Sequence, residues 1–234
     1  MIIAIDGTSG SGKSTLAKML AKKLNFGFFS AGALYRAITV KVLNLHINEN
    51  EDDKLHYLIE NTNIVYTYDG QENVMMLDGM NITNDLNTEE VNNMVSKISH
   101  KPFIREFVRK LQKETALHNE NIVMEGRDIG SVIFPDADFK LFVDCKIEAR
   151  AKRRMLQYEA QGNKVPLEKV IQDMQDRDYR DTHRENSPLV MCENAFLVDT
   201  SLTAADECLE IVLKEMLRRN LITREFLAER QIEL

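Results

Sequence analysis

The stretch MIIAIDGTSGSGKSTLAKMLAKKL, from Met1 to Leu24, decides the fold. Its first six residues are an apolar run closed by Asp6-Gly7, the pattern of a short strand covered on both faces. Gly7-Thr8-Ser9-Gly10-Ser11-Gly12-Lys13-Ser14 then fits G-x-x-x-x-G-K-[ST] without a mismatch. Leu16, Leu20 and Leu24 recur at i, i+4 and i+8, one stripe of a helix. Strand, glycine loop and helix make half of a βαβ unit. The chemistry follows from the residue types. Glycines let the backbone curl so that N–H groups point at phosphate oxygens. Lys13 brings a point charge to the β- and γ-phosphates, and the Ser14 hydroxyl is a ligand for Mg²⁺. The helix N-terminus behind them adds favourable dipole charge. This predicts binding of a nucleoside triphosphate and leaves the reaction open.

Outward from this stretch, Phe26–Ser30, Asn121–Glu125, Phe139–Asp144 and Ala195–Asp199 read as further buried strands. Helical patterns lie between them. Ile104, Val108 and Leu111 line one that begins near Pro102. Another carries Leu209, Val212, Leu213, Met216 and Leu217, with Thr203 and Asp206 in capping-box spacing. Strands alternating with helices predict an α/β fold with a mainly parallel sheet. One stretch departs from that rhythm. Asn63–Tyr68 and Val74–Leu77 are β-rich, separated by Asp69-Gly70-Gln71-Glu72-Asn73 and followed by Asp78-Gly79, which predicts a small antiparallel meander. It is too short to carry its own core and reads as a substrate-binding flap.

The 234 residues are 44% hydrophobic and 29% charged, an ordinary globular composition. Thirty Lys and Arg against 37 Asp and Glu leave a net charge of −7, which argues against a partner as large and anionic as a long nucleic acid. Any anion bound is small and met by local cations. Cys145, Cys192 and Cys208 show neither disulfide nor zinc spacing and read as small core hydrophobes. The five histidines show no metal-ligand spacing. No leader or membrane span is signalled, so a cytoplasmic location is expected.

Three charged clusters stand out. Lys146, Arg150, Lys152, Arg153 and Arg154 follow the strand ending at Asp144, and Arg150 and Arg154 share a helix face. Arg177, Asp181 and Arg184 fall at i, i+4 and i+7, on one side of a helix. Glu125-Gly126-Arg127-Asp128 leaves the carboxyl end of a strand, where ligands sit in open α/β sheets. A solvated, salt-bridged face is the plainer reading of the first two clusters. Beside a phosphate loop they also suit stabilisation of a transferring phosphoryl group.

These residues fall within a longer series: IDGTSGSGKST at 5–15, SAGALYR at 30–36, VSKIS at 95–99, IRE at 104–106, EGRDIGSVIFPDA at 125–137, ARAKRRMLQ at 149–157 and DRDYRDTHR at 176–184. In that order they resemble the bacterial cytidylate kinase family of P-loop nucleoside monophosphate kinases, from Ile2 to about Arg219. The resemblance implies a single P-loop kinase domain whose parallel core sheet, 1–30 and 119–234, is flanked by helices. It further implies a monophosphate-binding region at 31–118 with the meander at about 63–83, and a lid at about 150–165. The implied reaction is transfer of the γ-phosphoryl group of ATP to CMP or dCMP with Mg²⁺, by a monomer.

Residue by residue, the resemblance implies that Gly7 to Ser14 and Thr15 bind ATP, with Ser14 on the metal. Ser96, Arg105 and Asp128 would read the cytosine edge, whose amino group suits a carboxylate. Arg36, Arg127 and Arg184 would grip the monophosphate, and Arg177 and Asp181 would hold the nucleotide. Lys13, Arg150 and Arg154 would be catalytic, the two arginines closing over the transferring group from the lid. The chain departs from the family at Ala31, where a hydroxyl is usual, and in the tail 220–234, where Ile222 and Phe226 suggest a helix packed on the core. A kinase for UMP or dTMP is the nearest alternative, and a P-loop ATPase or switch a more distant one.

Overall fold

The computed structural model describes residues 1–68, 73–160 and 162–232. In chain order the elements are β1 (Ile2–Gly7), α1 (Lys13–Leu24), β2 (Gly27–Ser30), α2 (Ala31–Asn44), α3 (Asp52–Glu60), β3 (Ile64–Tyr68), β4 (Asn73–Leu77) and β5 (Met80–Asn81). A 3-10 turn, Thr83–Asn87, leads to α4 (Glu89–Ile98), α5 (Pro102–Leu117) and β6 (Ile122–Glu125). A π-helical turn, Ile129–Ile133, precedes β7 (Phe139–Asp144), α6 (Ile147–Ala160), α7 (Leu167–His183), β8 (Phe196–Asp199), α8 (Ala205–Arg218) and α9 (Arg224–Glu229). The chain divides into two compact units, Met1–Phe26 with Asn121–Leu234, and Gly27–Glu120.

In the first unit four strands run parallel in the order β6-β1-β7-β8. Ile3 and Ile5 of β1, Val123 of β6 and Leu141 and Val143 of β7 are all buried, which is why β1 and β6 read as apolar runs, while Lys140 interrupts that of β7. The α1 stripe Leu16, Leu20 and Leu24 is buried as expected. Truncating one of these leucines to alanine costs roughly 2–5 kcal/mol. Because β1 pairs with both β6 and β7, the loop after β1 opens at the carboxyl ends of three neighbouring strands, where Glu125 and Asp144 also lie.

In the second unit, β3, β4 and β5 form the antiparallel meander, with Ile64 opposite Leu77 and Met76 opposite Asn81. The first predicted turn lies at 69–72, outside the described residues. The second is Asp78-Gly79, where Asp78 takes positive φ and its carboxylate accepts from the Asn63 N–H at 2.9 Å. Pro102 occupies the first turn of α5, a position whose N–H has no helical partner. Phe28 and Phe29 of β2 meet Tyr68 and Tyr66 of β3 edge-on.

Two local expectations need correction. Helix α8 begins at Ala205 with Ala204 at its cap and no side-chain cap bond, so Thr203 and Asp206 do not form a capping box. Ile222 is buried but precedes α9, while Phe226 sits within that helix, its ring edge-on to Phe26. Cys145 and Cys208 are buried and Cys192 is half-buried, all three free.

Candidate active site

The site begins with the loop between β1 and α1. Gly7 passes so close to β7 that a Cβ would stand 2.0 Å from the Val143 carbonyl oxygen, so no larger residue fits. Gly10 takes φ +75°, and a Cβ there would meet Met174 Cε at 2.7 Å. Gly10 and Gly12 both take left-handed backbone, the conformation of anion-binding loops, while the Ser9 N–H donates to Asp178 and the Ser11 N–H to the Thr8 carbonyl. Lys13 and Ser14 then open α1.

Lys13 is 6% exposed, and its ammonium donates to the Thr8 carbonyl at 3.3 Å and lies 3.9 Å from a Glu125 carboxylate oxygen. Burial, and then the charge of Arg127, push its pKa down to about 7. Negative charge brought close to Lys13 favours its ammonium form.

Glu125-Gly126-Arg127-Asp128 leaves β6 and enters the π-helical turn. That turn is fastened by Asp6, the last acidic residue of β1. Its two carboxylate oxygens accept from the Ile129 and Gly130 N–H groups at 2.8 and 2.7 Å. Burial raises the Asp6 pKa to about 6 against the pull of these two hydrogen bonds. Asp6 read as no more than a strand end in the sequence, although a carboxylate ending a wholly buried strand was the available signal. Its effect is to hold Arg127 and Asp128 in place.

Helix α7 brings Arg177 and Asp181 to those two residues, and Arg184, expected on the same helix face, instead caps the helix with extended backbone. Arg127 Nε donates to Asp181 Oδ2 at 3.0 Å, and Arg184 lies 3.9 Å from Asp128 and 4.0 Å from Asp181. Three arginines, Arg127, Arg177 and Arg184, therefore share two carboxylates. Arg177 Nε is buried and has no hydrogen-bond partner. Burial, then Arg127, with Arg154 adding to the repulsion, push the Arg177 pKa down to about 10. Burial works to raise the Asp181 carboxyl, yet Arg127, Arg177 and Arg184 together hold it below the usual range. Clustered guanidinium groups with surplus charge suit a phosphate.

Helix α6 behaves differently from a solvated face. Arg150 is 6% exposed, donating to the Cys145 carbonyl at 2.8 Å, the Ser9 carbonyl at 3.0 Å and Asp178 at 2.6 Å. Asp178, which sequence reasoning did not single out, also accepts from the Ser9 N–H at 3.4 Å. Arg154 lies one turn on and is half-buried.

Arg36, Ser96 and Arg105 belong to the second unit. Arg36 Nη1 donates to the Leu86 carbonyl at 2.9 Å. Ser96 is buried on α4. Arg105 is buried on α5, donates to the Ser99 carbonyl at 3.3 Å and lies over the Tyr35 ring at 5.8 Å. Ser30 caps α2 by accepting from the Ala33 N–H, and Ala31 beside it is buried.

Among the described residues no group of three or more His, Cys, Asp or Glu is placed to hold a metal ion. The exposed hydroxyl of Ser14, at the mouth of the loop, is a hard oxygen donor that fits Mg²⁺ arriving with a nucleotide's phosphates. Among the described residues no helix is long and apolar enough to cross a membrane.

The sequence profile of the cytidylate kinase family matches residues 3–218. The cytidylate kinase of Caldanaerobacter subterraneus subsp. tengcongensis is 39% identical over 218 residues, 93% of this chain and 95% of that one. That of Desulforamulus reducens is 40% identical over 211 residues, 90% and 94% of the two chains. That of Ligilactobacillus salivarius is 37% identical over 218 residues, 93% and 97%.

Proposed function

The chain belongs to the cytidylate kinase family, and from that premise we propose that it transfers the γ-phosphoryl group of ATP to CMP or dCMP, giving ADP and CDP or dCDP. The observation that carries the acceptor half of this reading is the cluster of Arg127, Arg177 and Arg184 on two carboxylates, with a buried guanidinium nitrogen unpartnered.

The loop Gly7 to Ser14, with Thr15, binds ATP through its N–H groups and Lys13. Ser14, with the nucleotide's phosphates, would hold Mg²⁺, which would supply positive charge at the phosphoryl oxygens when bound. The acceptor is already an anionic oxygen, so no general base is required. Catalysis reduces to aligning donor and acceptor and cancelling charge on the equatorial oxygens. Lys13 does this from the loop, Arg150 from its fixed place against Ser9, and Arg154 from the next turn of α6. Arg127 and Arg184 grip the monophosphate, and Arg177 and Asp181 hold the nucleotide. Asp128 accepts from the cytosine amino group. Arg36, Ser96 and Arg105 carry the roles that the family resemblance implies: phosphate for the first, base edge for the other two. We assign the unit Gly27–Glu120 to monophosphate binding and α6, with the residues after it to about 165, to the lid. The enzyme acts as a cytoplasmic monomer on nucleotides.

The test is ADP formation from Mg-ATP with CMP, dCMP, UMP, dTMP, AMP and GMP as acceptors. Turnover concentrated on CMP and dCMP is the expected result. A peak on UMP or dTMP would overturn the Asp128 assignment, and release of ADP at one rate whatever the acceptor would make the protein an ATPase.

A further inference from the structure

The phosphate loop is held from behind at alternate carbonyls, by two routes that both start on α6. The first is the Arg150 bond to the Ser9 carbonyl. The second runs through Thr200, the residue after β8. Thr200 Oγ1 donates to the Ser11 carbonyl at 2.7 Å, with the Asp144 carbonyl a longer alternative at 3.4 Å. The same oxygen accepts from Arg153 Nη1 at 3.1 Å, while Arg153 Nη2 donates to the Thr200 carbonyl at 2.5 Å. The Thr200 N–H in turn donates to the Asp144 carbonyl at 2.9 Å. One buried hydroxyl thus joins the end of β7, the end of β8, the basic helix and the loop. Gly12 lies on the same side: a Cβ there would stand 3.7 Å from Arg153 Nη1 and 3.9 Å from Thr200 Oγ1.

A pinned carbonyl fixes its own peptide plane and so the direction of the next residue's N–H, that of Gly10 for the Ser9 carbonyl and that of Gly12 for the Ser11 carbonyl. Those groups face the anion only while the preceding carbonyls face away from it. We propose that Thr200, oriented by Arg153, is a positioning residue of the phosphate loop that tunes affinity for the triphosphate without touching it. The inference rests on the reading of that loop as the ATP site.

The test is calorimetric titration of the full chain with Mg-ATP, alongside KM for CMP and the melting temperature. Thr200→Val keeps the shape and removes both the donor and the acceptor. It is expected to weaken ATP binding about five- to tenfold, the effect of one hydrogen bond, with KM for CMP unchanged. Thr200→Ser is expected to restore affinity. Arg153→Gln, which leaves the hydroxyl but loosens it, is expected to shift ATP affinity in the same direction by a smaller factor. It decides the matter alone should Thr200→Val not fold. ATP affinity unchanged in the folded valine variant, or a loss that serine does not restore, would overturn the proposal. Failure of the unaltered protein to bind ATP would overturn the phosphate-loop reading itself, and the proposal with it.

Discussion

Helices α6 and α7 are both rich in arginine, and the two sets end in different company. On α6 the guanidinium groups of Arg150 and Arg153 are occupied by oxygens of the protein, chiefly backbone carbonyls of Cys145, Ser9 and Thr200. At α7, Arg177 and the capping Arg184 join Arg127 around Asp128 and Asp181. Arginines satisfied within the protein brace the loop from a fixed position. Arginines that outnumber their carboxylates store repulsion that an anion relieves. Burial first, and then the charge of Arg127, depress the pKa values of both Arg177 and Lys13.

The comparison can be broken first at its most charged point. Lys13→Ala removes the buried cation of the glycine loop and, on the proposed function, is expected to lower kcat by on the order of 10³-fold. A turnover near that of the unaltered enzyme would show that the loop's charge is not used. Asp181→Ala takes the shared carboxylate from three guanidinium groups and is expected to destabilise the fold by roughly 3–5 kcal/mol, as breaking a buried pair does. A denaturant midpoint that barely moves would mean the cluster carries no stored repulsion.

Asp6 sharpens the comparison through pH. Its pKa is raised by burial from 3.8 to about 6 in the fold, so the folded state binds the extra proton between those values. The stability it contributes is fully present below the unfolded value and is lost as pH rises through about 6. The advantage of the unaltered protein over Asp6→Asn should therefore shrink by about 3 kcal/mol between pH ~4 and pH ~7. Parallel urea midpoints across that range would contradict the assignment. The smallest effect is expected away from both helices. Arg230 lies over the Phe226 ring at 3.7 Å and donates to the Leu24 carbonyl at the end of α1. Arg230→Ala should cost about 1 kcal/mol of stability and leave both KM values unchanged.

What was legible in the sequence was what the chemistry requires to be consecutive. The phosphate loop needs its glycines, Lys13 and Ser14 in one run, and the parallel strands need unbroken apolar residues, so both could be read directly. Arg177 and Asp181 were legible as one face of α7, whereas Arg184 caps that helix with extended backbone and reaches Asp128 and Asp181 from its end. The bracing of the phosphate loop was not legible. Ser9 and Arg150 are 141 residues apart and Ser11 and Thr200 are 189 apart, and no spacing rule connects residues across β-strand crossovers. The charge run around Arg150 read most plainly as a solvated helix face, and the lid role of that arginine came from the family resemblance alone. Its burial depends on three oxygens that the chain supplies from elsewhere. The start of α8 was misplaced by a residue because Thr203 offered a capping side chain one position before the backbone turned at Ala204.

The measurement closest to the central claim is the pair of KM values, for CMP and for ATP, in Arg177→Met. The account predicts a rise of about 10- to 100-fold for CMP, the loss of a charge-assisted contact. It predicts no change for ATP and a melting temperature at or above that of the unaltered protein, since the variant relieves repulsion. An unchanged KM for CMP, or a rise confined to ATP, would show that the α7 cluster is not where the acceptor binds.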